Sequence, residues 1–191
     1  MTPFDKQQQR LHKANRFARV ALLAACGERV FPIYEAYWVG DYTPDVSRTV
    51  EQGWIYACGG MISPEDVRCS LEGLLALVTY YNEEDIGILS CCATLALRIV
   101  QCIDAPTDDE SSLAAARGCH TEIYAAILAD HAIHEAKAPG FPAEAEERDW
   151  LEKAIQRTET WQGVARRDMY SDLGQIPPKW WPAYQNARHH L

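Results

Sequence analysis

The stretch that decides the fold is residues 63–103, SPEDVRCSLEGLLALVTYYNEEDIGILSCCATLALRIVQCI, in which the same start signal occurs twice. Ser63 can cap a helix, Pro64 suits the first helical position, and Glu65 and Asp66 complement the positive end of the helix dipole. Asn82 followed by Glu83, Glu84 and Asp85 repeats the pattern ahead of a second apolar run. The first helix is expected to end near Tyr81. The second is apolar almost all round, which marks it as the central and most buried helix of the fold.

Working outward, Gly59-Gly60 just before this stretch supplies the left-handed backbone that ends a helix, so residues 44–58 form another. Upstream, residues 4–38 read as one helix with Phe17, Val20, Ala21, Ala24 and Ala25 at helical spacing and Pro32 as a kink or break. Downstream, Thr107 with Asp108, Asp109 and Glu110 starts a helix that ends at KAPGFP. A last helix runs from near Ala143 to about Asp172, with Trp150, Ala154, Arg157 and Trp161 on one stripe.

Period-two alternation is missing, so the fold class is all-α. Short connections favour antiparallel neighbours. The expected architecture is a single-domain, irregular antiparallel bundle of about six helices over residues 1–172. Residues 173–191, rich in proline and tryptophan, form a C-terminal strap packed on it. A chain of 191 residues can bury a sizeable core without staples.

Composition narrows the function. Seven cysteines, an odd number with no CxxC pair, sit mostly in Ala- and Leu-rich runs, as free buried thiols do in a reducing cytoplasm. The polar N-terminus reads as no signal peptide, and no apolar run reaches membrane-spanning length, so a cytoplasmic protein without a membrane partner is expected. The net charge of −9 is uneven: +4 over residues 1–27, −16 over 28–152 and +3 over 153–191. Such a field repels nucleic acid and speeds association with a basic partner, although acidity also serves solubility.

Three of the six histidines fall in CHTEIYAAILADHAIHE, residues 119–135. On a helix, His120, Tyr124, Ile127, His131 and His134 share a stripe about 80° wide. His131 and His134 could share a metal, with Asp130 or Glu135 adding an oxygen. The zincin order and the Glu-x-x-His pair of carboxylate-bridged bundles are absent, which favours a helix seam over a metal centre. No nucleophile elbow or phosphate loop occurs, so neither catalytic residues nor a cofactor is assigned and the chain is not read as an enzyme. The acids at 83–85 and 108–110 could chelate a hard cation, but their place immediately after capping residues favours helix-end stabilisation, and either way they can also meet a partner. Trp180 and Trp181, among Pro177, Pro178 and Pro182, are of a kind enriched at interface hot spots, or else a structural clamp.

Three segments together carry a resemblance. ARVALLAACGERVFPIYEAYWVGD, with Glu28, Arg29 and Pro32, is followed by PDVSRTVEQGWIYACGGMISPEDVRCS, with Trp54 before a Gly-containing break. AAARGCHTEIYAAILADHAIHEA then carries Gly118, His120, Ala129, Asp130, His131 and Ala132. The chain resembles the small helical immunity proteins of bacterial polymorphic toxin systems over about two thirds of its length, to about residue 137. The resemblance implies an inhibitor that binds and occludes a cognate effector toxin, without a reaction of its own. Candidate toxin contacts are Glu83, Glu84, Asp85, Asp108, Asp109, Glu110, Trp180 and Trp181. Glu28, Arg29, Pro32, Trp54, His120, Asp130 and His131 are structural markers of the family. A homodimer, a metal-binding protein or enzyme on the His120/His131/His134 stripe, and a non-enzymatic helical adaptor remain alternatives on the residues alone.

Overall fold

The computed structural model describes residues 10–11, 14–37, 44–84, 87–104, 143–174 and 182. Among these the protein is all-α, with five long helices and no strand. They are α1 (Arg16–Tyr37), α2 (Pro44–Ala57), α3 (Pro64–Glu83), α4 (Gly87–Asp104) and α5 (Ala143–Thr160). α1, α2 and α4 pack on one another; α3 lies against α4 and touches α2, and α5 lies against α1. The segment read as a helix from Thr107, and most of residues 173–191, lie outside the described residues.

The central element is α1, where α4 was expected. Every residue from Ala18 through Gly27 is buried, whereas α4 leaves Thr94, Arg98 and Gln101 partly exposed. Small side chains explain the difference. A Cβ on Gly53 of α2 would lie 2.8 Å from Ile99 Cγ2 of α4 and 3.1 Å from Ala24 Cβ of α1. On Gly27 it would lie 2.6 Å from Val50 Cγ2. Glycine and alanine therefore let three helices approach more closely than larger residues permit.

Local chemistry accounts for the helix ends. Ser63 Oγ accepts a hydrogen bond from the Asp66 amide at 3.0 Å, with extended backbone at φ −68° and Pro64 following, as its sequence predicts. α2 closes on Gly59 at φ +85°, with the Gly60 amide donating to the Ile55 carbonyl at 2.8 Å.

Three expected boundaries are corrected. The first helix does not run unbroken from residue 4, because Asn15 begins α1 as its cap, accepting from the Ala18 amide at 3.0 Å. Its expected end near residue 38 holds: α1 continues through Pro32 to Tyr37, although proline forgoes one intrahelical bond. Asn82 does not start the next helix; it stays within α3, where buried Tyr81 extends the apolar face, and its Oδ1 accepts from Ser90 Oγ at 2.6 Å. α5 stops at Thr160 rather than near Asp172, and Gly163 at φ +75° helps turn the chain back.

Residues 161–174 return across the bundle without helical structure. The Ala165 amide donates to the Ala57 carbonyl at 2.8 Å, and Tyr170 is buried between Trp54 and Trp150, with ring centroids 6.5 and 6.2 Å away. Tyr170 Oη meets Thr158 Oγ1 at 2.8 Å. The N-terminal segment is held by Arg10, which donates to Glu159 and Glu152 of α5.

Candidate functional site

Glu28 and Arg29, adjacent on α1, lead to two different environments. Arg29 is 2% exposed and faces Glu147 of α5, also 2% exposed, in a bidentate pair with Nε 2.8 Å from Oε2. Its guanidinium lies over the Trp150 ring, 4.5 Å from the centroid. A Cβ on Gly174 would come within 3.2 Å of Trp150 and 3.3 Å of Arg29, so the returning segment seals this pair from above. Two buried charges with matched geometry hold α1 and α5 in register, which is a structural role.

Glu28 turns instead to a cleft between α1 and α2 of about 580 Å³, lined among others by Phe31, Pro32, Val50 and Glu51. Arg167, from the returning segment, reaches Glu51 at 2.8 Å and Glu28 at 3.3 Å. Burial raises the Glu28 carboxyl above its ordinary range, and Arg167 only partly offsets this. The buried Trp54 indole N–H lies beside Glu28 and favours its charged form. The structure thus gathers the markers Glu28, Pro32 and Trp54 about one cleft, and sends Arg29 elsewhere.

The outward side of α3 forms a second surface. Glu72, Ala76, Thr79 and Glu83 follow one line along the helix, flanked by Leu75 and Tyr80, each 51% exposed. Glu84, at the end of this helix, is exposed as well. Two predicted contact acids, Glu83 and Glu84, therefore border an apolar patch that the sequence reading left unmarked. The signal was present in LLALVTYY, whose apolar residues exceed what one buried face of a helix needs.

Asp85, Asp108, Asp109, Glu110, His120, Asp130, His131, His134, Trp180 and Trp181 lie outside the described residues. Among the described residues no three His, Cys, Asp or Glu side chains converge as a metal-binding set, and no helix is long and apolar enough to cross a membrane. Burial pushes the Cys91 thiol up to about 12, and the Cys92 thiol is raised by the same cause. These two thiols are protonated at neutral pH and poor nucleophiles.

Comparison with family models, curated proteins and solved structures finds no match to this chain.

Proposed function

We propose that this chain is an immunity protein that binds a basic toxin domain and occludes its active or substrate-binding surface, with the outward face of α3 as a principal contact. The observation that carries this reading is the exposed face of α3, on which Leu75, Ala76 and Tyr80 lie near Glu83 and Glu84. Protein interfaces combine a desolvated aromatic or aliphatic centre with a polar rim, and a single-sign rim selects a partner of opposite charge. The charge of −16 over residues 28–152 supports the same choice. The resemblance of the ERVFP and ADHA segments to helical immunity proteins supports it independently of charge. Occlusion requires no reaction by the inhibitor.

The test is co-expression with the toxin encoded beside this gene. The wild-type chain should restore growth and co-purify with the toxin. The double variant L75D/Y80D should keep its helical circular dichroism, because both side chains already meet solvent, and should lose rescue. A wild-type chain that neither rescues growth nor co-purifies rules the proposal out. Stoichiometric zinc or iron lost on His131→Ala would replace it with the metal-site reading.

A further inference from the structure

The cleft between α1 and α2 already holds one guanidinium, that of a half-exposed arginine which also lies over the Trp54 ring, 6.0 Å from its centroid. Arg167 is 56% exposed, comes from a non-helical segment, and bonds closely to the outer carboxylate, Glu51, which is itself 50% exposed. Its contact with the deeper carboxylate, Glu28 at 22% exposure, is the long one at 3.3 Å. The Trp54 indole N–H, on a side chain 2% exposed, lies beside Glu28 and favours its charged form. The inner part of the cleft therefore presents a carboxylate whose guanidinium contact is long, with apolar walls from Phe31, Pro32 and Val50.

We propose that this cleft is a socket for an arginine or lysine side chain of the protein partner, and that Arg167 is a built-in occupant which the incoming cation displaces. The partner's methylene stem would lie on Phe31, Pro32 and Val50, as long basic side chains do on apolar surface. Its head group would span Glu28 and Glu51, and a guanidinium entering along the cleft axis can donate to two carboxylates at once. Exchange of one cation for another keeps a positive charge between the two carboxylates throughout, so displacement avoids leaving the half-buried Glu28 without a counter-charge. Arg167 returns to solvent at little loss, because an exposed ion pair contributes at most about 1 kcal/mol. Burial raises the Glu28 carboxyl although Arg167 partly offsets it, so a guanidinium seated closer to Glu28 would favour its charged form further.

This inference rests on the partner-binding reading only for the identity of the molecule that presents the cation. Its test uses the purified full chain and agmatine as an alkylguanidinium probe, followed through the Trp54 indole 1H–15N resonance and through thermal stability. Arg167→Gln removes the internal competitor and should bind agmatine about tenfold more tightly than wild type. The double variant E28Q/E51Q should show neither a Trp54 shift nor thermal stabilisation. Equal affinity of R167Q and wild type, or unchanged binding by E28Q/E51Q, overturns the socket. Agmatine binding by a chain that neutralises no toxin would keep the socket and defeat the immunity reading. Toxin neutralisation undiminished in E28Q/E51Q would do the reverse.

Discussion

Glu28 and Arg29 are neighbours in sequence, yet Arg29 is fully committed inside the fold while Glu28 faces a cleft and is reached by the long contact from Arg167. Removing one member of the buried Arg29–Glu147 pair strands the other charge away from water. Arg29→Ala is therefore expected to cost about 3–5 kcal/mol in urea unfolding, and R29M/E147L to recover most of that loss because no charge is then buried. A double variant no more stable than R29A would refute this account. At Glu28 the sign is opposite. A carboxyl whose folded-state pKa is raised favours the folded state when protonated, so its contribution falls as pH rises from the ordinary glutamate range through the raised value. Glu28→Gln should match wild type near pH 4 and be the more stable of the two at pH 7. Denaturant midpoints across that range would show the gap opening with pH; a gap that opens the other way contradicts the assignment.

At the scale of the element, a local capping signal was decisive only where burial of neighbouring residues did not oppose it. Ser63 with Pro64 is a local device, complete within four residues, and it acts as its sequence says. Asn82 looked like a second cap, but the pull of buried Tyr81 kept the helix going and left Asn82 to bind Ser90 across the α3–α4 turn. α5 ends early because Tyr170 gains more between Trp54 and Trp150 than on a continued helix. Glycines 27 and 53 carried no local signal, since each lies inside a helix where glycine is otherwise unfavourable. Their reason is the crossing of α1, α2 and α4. Gly53→Ala should therefore destabilise the protein, because overpacking costs about 1–3 kcal/mol and the gain in helix propensity is at most about 1 kcal/mol. Thermal melts would decide; a melting temperature above wild type would mean that the three helices are less tightly apposed than described.

At the scale of the whole molecule, charge and shape combine. The acidic stretch lies in the middle of the sequence, and the exposed face of α3 places part of that acidity around apolar side chains. Association with a basic toxin should slow about tenfold or more between about 50 and 500 mM salt, whereas dissociation, governed by the desolvated centre, should change much less. Stopped-flow rates at several ionic strengths measure this, and a salt-independent association rate would remove charge steering from the proposed mechanism.

The amino-acid sequence by itself determined the all-α class, the starts of α2, α3 and α5, and the acidity of the middle of the chain. These follow from periodicity, capping and composition, which act within a few residues or sum over many. Only the tertiary structure decided that α1 is the centre, that Arg29 pairs with Glu147 across 118 positions of sequence, and that Glu28, Glu51 and Arg167 share one cleft. Those outcomes depend on which helices approach closely enough for side chains distant in sequence to desolvate one another. That approach is set by small residues such as Gly53 and Ala24, whose effect exists only once three helices have packed.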